Sequence, residues 1–314
     1  MPSTSSRIRT GSRCRACACF LVVCLAALIP ACAPAYASAA QPRIELSSQE
    51  IETGGTLIVT VDCRGLPAPG SEPALAFGEK QILLFPYPNR PRGVYAGLVG
   101  IPVAAPAGPA VLTVTWAEGA RRYTATAEIM VRPAVYGEDA LTVDPSRVRP
   151  SPQDLERIRR EQAEVNRVYA SGSRERLWRG AFYVPVPGEM HGPFGTRRVF
   201  NGELQSQHNG ADYRAQTGDP IHAAGRGVVR LAKELFYSGN AVILDHGAGV
   251  FTSYSHMSRI DVKVGQTVER GAVLGLAGAT GRVTGPHLHW TVKVGATNVD
   301  PVAFLEVMRR LEGP

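Results

Sequence analysis

A chain of 314 residues with a formal charge of +7 and an ordinary globular composition has room for about two domains, each able to bury a core. The mild basic balance suits an anionic polymer surface without singling out nucleic acid, and no nucleic-acid partner is expected.

Residues 1–40 stand apart. Arg7, Arg9, Arg13 and Arg15 precede an apolar run from Ala16 to Ile29, and small residues ending "AYASAA" follow. That is the order of a secretory signal peptide, with an apolar part too short for a permanent membrane span. The expectation is an exported, periplasmic protein cleaved near Ala39 or Ala40, with about +3 remaining once four arginines leave. A lipoprotein-like "LIPAC" would lipidate Cys32, although Pro30 fits that pattern poorly; a membrane association is expected only on that route. Five of the six cysteines lie in this leader, so no disulfide framework is expected. Cys63 shares a strand face with Leu57, Val59 and Val61 in "TLIVTVDC", the position of a buried, inert thiol.

Residues 41–133 alternate with period two. Ala110, Leu112, Val114 and Trp116 form one such row, Tyr123, Ala125, Ala127, Ile129 and Val131 another, and Pro/Gly clusters separate the strands. Short half-buried strands of this kind predict an immunoglobulin-like sandwich. In the linker 134–180 the period changes. Ser151 as cap, Pro152 at the first helical position and Asp154 in the first turn open an amphipathic helix with Leu155, Ile158, Val165 and Tyr169 on one side, suited to packing on a domain surface. Residues 181–304 return to glycine-rich strands, and a short closing helix is expected over 305–314, within "PVAFLEVMRRLEG".

Six of the seven histidines fall after residue 200. In "TGPHLHWTV" the apolar Leu288, Trp290, Val292 and Val294 alternate with His287, His289, Thr291 and Lys293, so the two imidazoles share a face away from the core. Two imidazoles on one strand face suit a metal, or a metal and a general base. In "QHNGADYR" a bent strand would bring His208 and Asp212 to one face; with one imidazole of the later pair they supply two nitrogens and a carboxylate for a catalytic zinc with an open fourth position. His256 is expected to share strand alternation with Thr252 and Tyr254, while His191, His222 and His246 sit beside turns.

Together these segments resemble the M23 zinc metallopeptidases, the lysostaphin and LytM type that cut peptides of bacterial peptidoglycan. The resemblance covers about residues 181 to 304, through "FGTRRVFNGELQSQHNGADY", "GDPIHAAGRGVV", "GNAVILDHGAGVFTSYSHMS", "VKVGQTVERGAVLGLAGATGRVTGPHLHW" and "VDP". It implies a mainly β, lysostaphin-like antiparallel domain that binds one zinc through His208, Asp212 and His289, with His256 and His287 as catalytic histidines and His222 and His246 structural. It also implies peptidoglycan as substrate, with D-alanyl-diaminopimelate cross-links favoured, and a possible regulatory protein acting through the N-terminal domain. Noncatalytic LytM-type activators or scaffolds are the alternative, but they typically lack some ligands, and here all five positions are filled. A biotinyl-carrier-like reading of "VKVGQTVERGAVLGLAG" lacks the lysine that would carry the cofactor.

Overall fold

A computed structural model describes residues 41–66 and 72–313, so the leader peptide and Cys32 lie outside the described residues. Strands between Arg43 and Arg132 divide between two sheets. Arg43–Leu46, Thr56–Asp62, Val94–Gly100 and Leu84–Pro86 lie side by side in one; Glu50–Glu52, Arg121–Arg132, Gly108–Glu118, Ala74–Phe77 and Lys80–Ile82 make the other. Every second residue points between the sheets, so Leu57, Val59 and Val61 meet Leu75, Leu112, Val114 and Ile129 in the sandwich core. Cys63 closes that core, and burial pushes its thiol up to about 11, which leaves it unreactive at neutral pH.

The first sheet is covered on its other face as well. Ile58, Phe85, Ala96 and Leu98, which alternate with the sandwich-facing set, join Trp178, Val294, Val299, Leu305 and Met308 in a second core. That is why Leu57, Ile58 and Val59 follow one another without a polar alternate: at this end of the strand both faces are buried. The approach is close at Gly100, where an added Cβ would stand 2.8 Å from Val299 Cγ1. The sandwich is therefore built into the rest of the molecule, and the described residues form one compact unit.

Three helices follow the sandwich. A single turn, α1 (Pro145–Val148), precedes α2 (Pro152–Ala170). Ser151 caps α2 by accepting from the Asp154 amide at 3.1 Å, and Pro152 stands at the first helical position, as the sequence suggests. Val165, Val168 and Tyr169 pack on Leu231, Leu235, Ile243 and Phe251, with the Tyr169 and Phe251 rings edge to face at 5.2 Å. Leu155, expected on this side, is instead 41% exposed one turn beyond the contact. The closing helix, α3 (Pro301–Glu312), begins four residues earlier than expected because Asp300 caps it at the Val302 amide, 2.8 Å away. Its last side chain, Glu312, accepts from Arg176 Nη1 (2.7 Å), Trp178 Nε1 (2.9 Å) and the Gly180 amide (3.1 Å), tying the linker down. No helix among the described residues is long and apolar enough to cross a membrane.

The second half is organised by an antiparallel sheet. Its spine runs Met190–Gly192, Ala211–Arg214, His287–Val294, Val250–Ile260, Gly239–Gly247, Gly227–Leu235 and Thr267–Val268. Leu288, Trp290, Val292, Tyr254, Val242 and Leu244 fill the core beneath it.

Candidate metal centre

The strand His287–Val294 lies between its two neighbours so that His289 pairs with Asp212 on one side and with Ser255 on the other. Register thus places the carboxylate and the imidazole directly across from each other. His208 comes from a different element than expected. Asn209 and Gly210 break the chain between the strands Glu203–Gln207 and Ala211–Arg214, so His208 and Asp212 do not share one bent strand. His208 is held by backbone bonds, its amide donating to Thr196 O at 2.7 Å and its carbonyl accepting from Gly195 N at 2.8 Å. Gly210 lets the turn press against the ligand strand, since a Cβ there would meet Trp290 O at 2.5 Å and His289 Cε1 at 2.9 Å.

Three atoms converge. His208 Nε2 lies 3.0 Å from His289 Nδ1 and 3.1 Å from Asp212 Oδ1, and His289 Nδ1 lies 2.8 Å from the same oxygen. The other ring nitrogens decide what these contacts are. His208 Nδ1 is 2.8 Å from Pro193 O, and a carbonyl only accepts, so Nδ1 carries the hydrogen and the neutral ring's Nε2 is left with a lone pair. His289 Nε2 is 3.2 Å from Asn209 Oδ1 and 3.0 Å from Thr291 Oγ1, which places its hydrogen there and leaves Nδ1 bare. Burial pushes the His289 imidazole down to about 4, so it is neutral at pH 7.

Two nitrogen lone pairs and a carboxylate oxygen therefore face one another in a buried site. Acceptors repel at such distances unless a cation lies between them. Around a tetrahedral zinc with bonds of about 2.0–2.1 Å, ligand atoms stand roughly 3.3 Å apart, close to the spacing here. His208, Asp212 and His289 fit a divalent metal in number, chemistry and spacing. The other carboxylate oxygen, Oδ2, accepts from Arg198 Nη2, a partner the sequence did not disclose. Such a hydrogen bond orients the ligand that carries it. Gly192, across from Asp212, leaves room for that oxygen, as a Cβ would stand 2.8 Å from it.

His256 reaches the site through a break in its strand. Strand alternation predicts it on the side of Thr252 and Tyr254, yet those two are buried together on the core side, with Thr252 Oγ1 and Tyr254 Oη hydrogen-bonded to each other at 2.9 Å. Between Tyr254 and Met257 the pairing with Gly239–Gly247 slips by one residue, and His256 adopts φ 66°. This bulge turns the imidazole over to the face of His287 and His289, with ring centroids 4.9 and 5.9 Å away. Its Nδ1 donates to Thr280 O at 2.8 Å, leaving Nε2 as the free acceptor. Burial first, then the neighbouring His287 and His289, hold its pKa well below the ordinary value.

His287 Nδ1 donates to Gly285 O at 2.9 Å, and Nε2 stands 3.7 Å from Asp212 Oδ1. His191, set aside in the sequence as a turn residue, has its ring 5.8 Å from that of His287, because the strand Met190–Gly192 pairs with the one bearing Asp212. His246 is elsewhere and structural: its ring bridges Arg226 O (2.8 Å) and Thr252 Oγ1 (2.7 Å). His222 Nδ1 is 3.3 Å from Pro185 O.

A cleft opens beside the ligands. His208, His256 and His289 line it on one side, and Glu161, Val165 and Tyr169 of α2 wall the other. Among the described residues the sandwich contributes nothing to this lining.

The comparisons with known proteins fall on the same residues. The family model described as Peptidase family M23 matches residues 206–301, which hold all five site residues. The peptidoglycan DD-endopeptidase ShyA of Vibrio cholerae is 48% identical over 99 residues, 32% of this chain and 22% of the relative. The DD-carboxypeptidase/endopeptidase Mpg of Neisseria meningitidis is 39% identical over 127 residues, 40% of this chain and 29% of the relative. The match thus spans under a third of these curated relatives. A crystal structure of a putative peptidase M23 from Pseudomonas aeruginosa is 33% identical, covers 81% of this chain and 94% of its own, and superposes with a TM-score of 0.59. A likeness that runs through the sandwich as well as the ligand-bearing strands makes the chain a member of peptidase family M23.

Proposed function

We propose that the protein is a zinc-dependent endopeptidase that hydrolyses peptide cross-links or stem peptides of bacterial peptidoglycan, D-alanyl-diaminopimelate cross-links being favoured, in the periplasm. The observation that carries this reading is the convergence of His208 Nε2, Asp212 Oδ1 and His289 Nδ1, three acceptors within 3.1 Å of one another, beside two further imidazoles. Relatives named for DD-endopeptidase activity support the substrate.

When bound, the metal supplies a Lewis acid that polarises the scissile carbonyl and makes a water acidic enough to lose its proton near pH 7. The protein supplies the rest. His256, kept neutral by burial with Nδ1–H anchored on Thr280 O, presents Nε2 to take up a proton. His287, anchored at Nδ1 by Gly285 O, faces the same space with Nε2; once that nitrogen has taken up a proton, the imidazolium is placed to donate it to a developing oxyanion or to the leaving amine. Arg198 fixes the Asp212 carboxylate from behind, and Asn209 and Thr291 fix the His289 ring.

The test is purified protein on isolated sacculi with and without a chelator. Chelator-sensitive release of muropeptides, with new termini at D-alanine and diaminopimelate by mass spectrometry, is the expected result. Undiminished sacculi in both arms would return the protein to the class of noncatalytic activators.

A further inference from the structure

Arg282 stands out among the charged groups of the cleft. Its guanidinium carbon lies 4.4 Å from the ring centroids of both Phe200 and Tyr237, and all three residues line the cleft that holds His208, His256 and His289. Stacked on two rings, a guanidinium keeps its in-plane N–H edge free to donate. No carboxylate takes that edge: Arg282 has no ion pair or side-chain hydrogen bond among the described residues. The other charges around it do not compensate. Arg198 is committed to Asp212, Lys293 Nζ meets Ala296 O at 3.3 Å and the Tyr169 ring at 4.9 Å rather than a carboxylate, and both oxygens of Glu161 are taken, by Arg157 Nε at 2.6 Å and the Phe236 amide at 2.7 Å. The cleft therefore keeps an excess of positive charge. Burial, with Arg198 nearby, weighs against the charged form of Arg282, an arrangement that an incoming anion relieves.

We propose that Arg282 is the subsite for a carboxylate of the peptide being cut, held edge-on by the planar guanidinium. The proposal rests on the endopeptidase reading and adds the feature by which the cleft selects its peptide. A carboxylate offers two oxygens that match the guanidinium fork, which a neutral amide does not. The position is also rigid with respect to the reaction. The Arg282 amide donates to Tyr237 O at 2.8 Å, and two residues before it Thr280 O holds His256 Nδ1 while Thr280 Oγ1 accepts from the Asn240 amide at 2.9 Å. At Gly281, with φ 84°, a Cβ would stand 2.4 Å from Tyr237 O, so the loop follows that turn closely. A peptide held on Arg282 is thereby positioned against His256 through a single short loop.

The carboxylate assigned to Arg282 is one at the cross-link itself, the diaminopimelate side chain or the chain terminus. Three fluorescently labelled synthetic cross-linked peptides separate them: the free acid, the diaminopimelate side-chain amide and the C-terminal amide. Zinc-loaded wild type and Arg282→Gln are compared for kcat and KM on each, with Arg282→Lys as the charge-retaining control. The expected result is a KM for one of the two amides about 10- to 100-fold above that of the free acid in wild type, the scale of a charge-assisted hydrogen bond. In Arg282→Gln that ratio collapses towards one, with zinc content unaltered, and Arg282→Lys restores part of it. Wild type that does not distinguish acid from amide, or an Arg282→Gln variant that keeps the ratio, overturns the proposal. Should wild type cleave none of the peptides, the endopeptidase reading falls, and anisotropy on the same three peptides still decides the subsite: an acid preference lost in Arg282→Gln supports it, and equal binding refutes it.

Discussion

Phe85→Ala tests whether the sandwich is part of the body that carries the site. Phe85 is 2% exposed, and its ring meets Trp178 edge to face at 5.3 Å, the indole that Glu312 of α3 anchors at 2.9 Å. The substitution removes a buried ring at the seam between the two halves, where Ile58, Ala96 and Leu98 close the same core. Phe→Ala in such a place costs about 3–5 kcal/mol, and for a unit of this size roughly 2–4 °C of Tm accompanies each kcal/mol, so a fall of roughly 10 °C is expected. Scanning calorimetry on the metal-loaded protein should show one transition, displaced as a whole. Turnover per folded molecule at 25 °C should hold, since Phe85 does not line the cleft. Two transitions, of which only one moves, would mean that the sandwich folds as an appendage and would refute the shared-core account.

Three further outcomes follow from the site and its surroundings. His289→Ala should lose bound zinc and activity together, whereas His287→Ala should keep zinc by metal analysis and lose most turnover; equal zinc and equal activity in the two would contradict the assignment. His246, pushed down to about 4 by burial, stays neutral in the fold while the unfolded chain takes a proton below about 6.5. Its contribution is present above that pH and is lost as pH falls towards 4, by about 3 kcal/mol, so urea midpoints at pH 7.5 and 4.5 should differ less in His246→Gln than in wild type; parallel pH dependence would refute this. At His256 the φ of 66° predicts that His256→Gly is more stable than His256→Ala by about 1 kcal/mol, both being inactive, and the reverse order by thermal melting would remove the strained bulge from the argument.

What was legible in the sequence was local. Period-two alternation placed His287 and His289 on one face and put Cys63 with Leu57, Val59 and Val61, and the capping residues of α2 stood where they were expected. Alternation states which residues share a face but not what covers it. Hence the second face of Thr56–Asp62, buried against Trp178 and Leu305, had no reading as an interface, and α2 was placed on a domain surface without its role as a wall of the cleft. Pairing across 77 residues, which sets Asp212 opposite His289, needs register, and a one-residue bulge inverts every inference drawn from alternation beyond it. His256 shows that failure most clearly: its identity as a catalytic histidine came from family resemblance, while the periodic reading put it on the wrong face. Arg198 and His191 lacked a signal of either kind, since both depend on strands that meet only in the folded chain.

The bulge, the bare acceptors and the glycines bear on one another. A left-handed histidine costs about 1–2 kcal/mol, and buried lone pairs facing one another without a cation add to that cost. Neither feature improves packing, because Tyr254 and Trp290 already fill the core beneath. Gly192 and Gly210 each stand where any Cβ would displace Asp212 or the strand bearing His289, so the backbone around the ligands has little freedom to relax into an ordinary, unstrained sheet. Strain held in place by rigid neighbours is what a preorganised metal site requires. The shared core beneath the sandwich supplies the rigidity: it clamps the strand His287–Val294 at Val294, on the same strand as both histidines of the site. The sandwich is therefore tied to the chemistry by holding the ligand strand in register, while α2, which does reach the cleft, shapes what enters it.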